Sequence, residues 1–224
     1  MEKKLIIANW KSNKTIEEAK DFLEVLKNAL PNLDLSNKEI VIAPSYSVLS
    51  TLNYFIRQDN LPISLSAQNV SSFPEGAYTG EVAARGIKEI AEYVIIGHSE
   101  RKRYMHESDS EILNKVDEAK KVGLKVVMCI QNEDSPIYDK ADVIAYEPPS
   151  AISTFGIGKP EESADIEKVL AKVAQKAVGK KLIYGGSVKK ENIVEYSKIR
   201  SCNGFLVGGA SLDPHSFISL LSEW

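Results

Sequence analysis

The 224-residue sequence has only two cysteines, Cys129 and Cys202, far apart and without a C-x-x-C pair. Its three histidines, His98, His106 and His215, are equally scattered. A structural zinc site draws on about four clustered Cys or His ligands, so no metal is expected. The same scarcity of cysteine reads as a reduced, cytoplasmic protein rather than a disulfide scaffold. Excess charge of one sign is missing too: 28 Lys and Arg stand against 31 Asp and Glu, a net charge of −3. Nucleic acid and anionic membranes call for a basic face, so neither is an expected partner, and any bound phosphate must be held at a local site. Long hydrophobic runs are absent. Leu5-Ile6-Ile7-Ala8 stops at Asn9-Trp10-Lys11, too short for a signal sequence, and no run nears the ~20 apolar residues of a membrane span. There is no Ser/Gly-rich linker or shift of composition, so residues 1–224 read as one domain.

What the sequence does have is alternation. Hydrophobic residues make up 43% of it, enough for a chain of this length to bury a core without staples. Short apolar runs at 5–8, 40–43, 63–67, 93–96, 125–130, 142–146, 182–184 and 204–207 read as strands. Helical patterns separate them. Thr15-Ile16-Glu17-Glu18 fits a capping box and is followed by Ala19, Phe22, Leu23 and Leu26 at helical spacing. Further helices are expected at about 47–57, 82–90, 109–121, 163–178, 191–197 and from Pro214 to the C-terminus. Strands that alternate with helices pair in parallel through right-handed crossovers. Eight such units close into a (β/α)8 barrel. One unit is short: only Gln131 to Ala141 separates the fifth and sixth strands, so most of a helix is expected to be missing there.

In such a barrel the chemistry sits where strands end, and polar residues at those ends select themselves by position. The first strand delivers Asn9 and Lys11, the fourth Gly97-His98-Ser99-Glu100, the sixth Glu147-Pro148, the seventh Gly185-Gly186-Ser187 and the eighth Gly208-Gly209-Ala210-Ser211. Glycines after both the seventh and eighth strands let backbone amides converge on an anion, and phosphate is the usual ligand there. A carboxylate such as Glu147, between an apolar strand and a proline, suits general base work if burial raises its pKa. It equally fits a plain loop carboxylate. Lys11 reads as an inward cation or a solvated surface lysine, and His98 as a catalyst or a satisfied structural group. His106 and His215 read as bland. Gly156-Ile157-Gly158-Lys159 is not a P-loop, because Pro160 stands where Ser or Thr is needed.

Taken together, Asn9-Trp10-Lys11, Gly97-His98-Ser99-Glu100-Arg101, Ala145-Tyr146-Glu147-Pro148, Tyr184-Gly185-Gly186-Ser187-Val188 and Val207-Gly208-Gly209-Ala210-Ser211 resemble the motifs of the triosephosphate isomerase family, in the family's order. So do Ala67-Gln68-Asn69-Val70 and Gly76-Ala77-Tyr78-Thr79-Gly80-Glu81. The resemblance runs from about Leu5 to the C-terminus and implies a TIM barrel that interconverts glyceraldehyde 3-phosphate and dihydroxyacetone phosphate, in glycolysis and gluconeogenesis. It implies Glu147 as base, neutral His98 as electrophile, and Lys11 with Asn9 around the developing oxyanion. Ser99 and Glu100 become supporting residues. Ser153, Ser187, Gly208 and Gly209 would offer amides to the substrate's phosphate. No metal or organic cofactor is implied, and the expected protein partner is a second copy, in a homodimer or something larger. Another phosphate-binding barrel enzyme and a non-catalytic sugar-phosphate binder are the rival readings. The segment Pro148 to Gly156 corresponds to the family's closing loop, with Ser150 where the family has Trp and Ser153 where it has Gly.

Overall fold

The computed structural model describes residues 3–151 and 160–224. Eight parallel strands close a barrel in sequence order: β1 (Lys4–Asn9), β2 (Lys38–Ala43), β3 (Ile63–Ala67), β4 (Tyr93–Ile96), β5 (Lys125–Ile130), β6 (Val143–Tyr146), β7 (Lys181–Tyr184) and β8 (Gly204–Val207). The helices that surround it are α1 (Ile16–Ala29), α2 (Tyr46–Gln58), α3 (Ala84–Lys88), α4 (Ser99–Tyr104), α5 (Asp109–Lys121), α6 (Ser163–Lys176), α7 (Lys190–Tyr196) and α8 (Pro214–Glu223).

The caps explain several helix starts. Thr15 and Glu18 exchange hydrogen bonds at the head of α1, and Ser108 and Glu111 do the same at α5. Asp213 accepts the Ser216 amide ahead of Pro214 in α8. The helix expected at 82–90 is shorter, because Ala83 keeps an extended backbone and Ile90 closes the far end with a tight bond to Ile87. Helix α4 was not legible as a separate element. Residues 131–142 hold only turns, fastened by Tyr138 OH on the Asp109 carbonyl at 2.9 Å and by Lys140 on Asp117 at 2.6 Å.

Strand alternation sorts the core into two layers. Leu5, Ile7, Val41, Tyr93, Ile95, Val127, Val143, Ala145, Ile183 and Leu206 pack with one another inside the barrel. The intervening residues, such as Ile6, Ala8, Ile40 and Ile42, pack outward against Phe22, Leu26, Leu49 and Phe217 of the helices. Each fully buried aliphatic or Phe side chain contributes roughly 1.5–3 kcal/mol. The period-two pattern also has a consequence for the barrel mouth. Continuing the inner layer by two residues beyond Ile7, Ala145, Ile183 and Leu206 gives Asn9, Glu147, Gly185 and Gly208. All four line one cavity.

Candidate active site

That cavity measures about 390 Å³ and is also lined by Lys11, His98, Ser187 and Gly209. The structure therefore brings together Asn9, Lys11, His98, Glu147, Ser187, Gly208 and Gly209 from five different strand ends. Ser99 and Glu100 sit one step behind, as contacts of Glu147 and Lys11. Ser153 lies outside the described residues. His106 and His215 are exposed and do not line the cavity.

Lys11 follows β1 with a left-handed backbone, φ 55°, a conformation that costs a non-glycine residue roughly 1 kcal/mol. Its surroundings hold it there. The Lys11 amide donates to Asn9 Oδ1 at 3.1 Å, and its carbonyl accepts Gln68 Nε2 at 2.7 Å. The same Gln68 nitrogen reaches the Ala43 carbonyl at 2.8 Å. Lys11 Nζ meets Glu100 Oε1 at 2.5 Å, which fixes the ammonium over the cavity. In the sequence Gln68 stood only within the Ala67-Gln68-Asn69-Val70 motif, with no role beside Lys11, although it too is the first polar residue after a strand, β3.

His98 enters through a turn at Gly97, whose φ of 71° needs glycine. Its ring caps α4: Nδ1 accepts the Glu100 amide at 3.2 Å. The ring proton therefore belongs on Nε2, which faces Glu147 Oε1 at 2.9 Å. The other oxygen of Glu147 accepts the Ser99 amide at 3.2 Å. Glu147 is 2% exposed and His98 6%.

This contact reverses two expectations. Burial by itself raises the pKa of Glu147, but the charge and hydrogen bond of His98, and the Ser99 amide, bring it below the ordinary carboxylate value. Burial lowers that of His98, but Glu147 and then Glu100 bring it above the ordinary histidine value. The two groups thus hold one another while they touch. Once the carboxylate leaves the ring, burial becomes the main influence on each, pushing Glu147 up and His98 down. Glu147 also helps hold the wholly buried Cys129 thiol in its neutral form, with burial the larger cause.

The glycines make room. A Cβ on Gly185 would stand 2.8 Å from Glu147 Cγ, and one on Gly186 would run into Tyr184 Oη at 2.1 Å. At Gly208 it would press on Lys11 Cε at 3.4 Å. The glycines after β7 and β8 thus leave backbone open to the cavity beside the side chains of Ser187 and Lys189, as an anion bound by amides requires.

The comparisons with known proteins place the chain in a family. The profile of the family described as triosephosphate isomerase matches residues 4–141 and 136–224. A triosephosphate isomerase of Endomicrobium trichonymphae is 34% identical over 250 aligned residues, covering 99% of this chain and 98% of the relative. One of Mesomycoplasma hyopneumoniae strain 232 is 36% identical, with 98% of each chain covered. One of Thermodesulfovibrio yellowstonii is also 36% identical, with 99% of each covered. With its closed eight-stranded barrel, the chain belongs to the triosephosphate isomerase family.

Proposed function

We propose that the chain interconverts D-glyceraldehyde 3-phosphate and dihydroxyacetone phosphate through an enediolate, with Glu147 as base. The observation that carries the residue roles is the buried pair of His98 Nε2 and Glu147 Oε1, 2.9 Å apart in a cavity that also presents Lys11. Glu147 exchanges its contacts with His98 and Ser99 for the substrate carbon next to the carbonyl and takes its proton. The carbon–hydrogen electron pair becomes the enediolate double bond, and the carbonyl pair moves onto oxygen. Nε2–H of His98 donates to that oxygen, and Lys11 Nζ and the Asn9 amide stabilise the charge that develops on it. Glu147 then returns the proton to the neighbouring carbon, while His98 moves a proton between the two oxygens. The amides near Ser187, Gly208 and Gly209 hold the phosphate, so that binding energy remote from the reacting carbons fixes their position.

A second copy of the chain is the proposed partner. A hollow of about 450 Å³ next to the cavity is lined by Tyr46, Gln68, Glu100, Tyr104 and Met105, together with the far sides of Lys11 and His98. Tyr104 and Met105 are exposed, at 49% and 64%. The loop after β3 carries a stacked Phe73–Tyr78 pair, also exposed, with ring centroids 4.5 Å apart. The loop of one copy, with Thr79 near its tip, fits the hollow of the other. The proposed setting is the cytoplasm, in glycolysis and gluconeogenesis. Among the described residues no helix is long and apolar enough to cross a membrane.

A coupled isomerase assay on the purified protein tests the reading. Turnover of glyceraldehyde 3-phosphate is expected. Tight binding of a substrate-like phosphate without turnover would mean a binding module, and turnover of a different sugar phosphate alone would mean another barrel enzyme.

A further inference from the structure

One titratable cluster outside the cavity has no part in the chemistry above. Glu161, half-buried just before α6, places its carboxylate among hydroxyls rather than cations. Oε2 accepts from Tyr146 OH at 3.3 Å and Oε1 from Ser150 Oγ at 3.3 Å. Its backbone carbonyl accepts from Tyr196 OH of α7 at 2.7 Å. Tyr184 packs between the other two tyrosines, its ring 6.0 Å from that of Tyr146 and 5.3 Å from that of Tyr196. Among the described residues no Lys or Arg is ion-paired with Glu161, and burial pushes its pKa above the ordinary carboxylate value. A half-buried carboxylate is costly unless hydrogen bonds compensate it, and here the compensating bonds come from hydroxyls, which raises the question of their purpose.

The placement of its partners supplies one. Tyr146 is the residue immediately before Glu147, and Ser150 lies three residues after it. The main chain here is also tied by Gly185 N on the Tyr146 carbonyl at 2.7 Å, Glu147 N on the Ile130 carbonyl at 2.8 Å, Ala151 N on the Pro148 carbonyl at 3.0 Å and Ser187 Oγ on the Ala151 carbonyl at 2.8 Å, so the clasp adds side-chain bonds to a backbone already held by its neighbours. We propose that Glu161 is a positioning residue for the base: its carboxylate clasps the chain on both sides of Glu147 and so sets where the Glu147 side chain stands. Tyr196 anchors the clasp to α7, and the tyrosine rings cover its Tyr146 side, while the Ser150 bond lies at the surface. The inference rests on the reading of Glu147 as base, and deepens it.

The test compares Glu161→Ala, Glu161→Gln and Tyr146→Phe with the wild-type protein, in steady-state kinetics and in NMR titration of the His98 ring. A displacement of about 1 Å costs on the order of 10²-fold in rate, so partial loosening is expected to lower kcat about tenfold. KM is expected to stay within about twofold, because the phosphate amides after β7 and β8 are untouched. Glu161→Gln, which still accepts one hydroxyl and donates to the other, restores most of kcat. Tyr146→Phe, which keeps the ring, lowers kcat in the same direction by less. The His98 pKa, held up by Glu147, falls in Glu161→Ala and stays high in Glu161→Gln. Wild-type kcat and an unmoved His98 titration in Glu161→Ala would overturn the inference. So would a loss of stability and rate together with an unmoved His98. If Glu147→Asp loses activity in the same assays, the base assignment stands whatever Glu161→Ala does; if it does not, that assignment falls first.

Discussion

His98 Nε2 and Glu147 Oε1 stand 2.9 Å apart in a pocket that leaves 6% and 2% of the two residues exposed. Each is therefore the main reason the other departs from the pKa that burial alone would give it.

The first prediction follows from that pairing. In the free protein the His98 ring is expected to titrate above the ~6.5 of an ordinary histidine, and in Glu147→Gln to titrate lower than in the wild type. The pair also links to stability. The raised His98 contributes fully below its unfolded pKa and less as pH rises through the folded one; the depressed Glu147 contributes above its unfolded pKa and less as pH falls. The destabilisation caused by Glu147→Gln should therefore be largest between about pH 4.5 and 6.5 and shrink on the alkaline side. NMR titration and urea melts at several pH values measure both. A His98 pKa that does not move in the variant would break the proposed coupling.

Gly185 yields the second. An added methyl would stand 2.8 Å from Glu147 Cγ, so the base must yield. Gly185→Ala is expected to cost about 1–3 kcal/mol in stability, as overpacking does. It should lower kcat by up to about 10²-fold through misplacement of the carboxylate. Wild-type kinetics in a folded Gly185→Ala would mean that Glu147 has more room than its contacts with His98 and Ser99 leave it.

The third concerns assembly. Light scattering is expected to give at least twice the 24.7 kDa of one chain, and dilution to the monomer should lower activity. Replacing exposed Met105 or Tyr104 by a charged residue should weaken association. An active monomer at 24.7 kDa would contradict the proposed partner.

The barrel was legible because strand and helix signals alternate through the chain and strand ends can be counted. The site was legible for the same reason: Asn9, Glu147, Gly185 and Gly208 stand at or just after the counted strand ends, and in the fold they turn out to continue the inner layer by two residues. What could not be read was coupling between distant positions. Nothing in the local sequence says that His98 Nε2 meets Glu147, so neither the raised Glu147 pKa that burial suggests nor the neutral His98 that the resemblance implies takes that contact into account. Gln68 was seen only as part of a motif, and its part at the site escaped because that part is a pair of hydrogen bonds to the Lys11 and Ala43 carbonyls, made across the barrel top. Glu161 escaped because its partners are hydroxyls scattered over 50 residues of chain, from Tyr146 to Tyr196. Helix α4 is only six residues long, too short for a periodic signal.

The most direct test of the account is the kcat of Glu147→Asp in the coupled isomerase assay, with circular dichroism and melting temperature as controls for folding. The substitution keeps the charge and withdraws it by one methylene, about 1 Å, so the account predicts a fall on the order of 10²-fold in kcat with the fold intact. A folded Glu147→Asp that turns over at close to the wild-type rate would contradict Glu147 as the base.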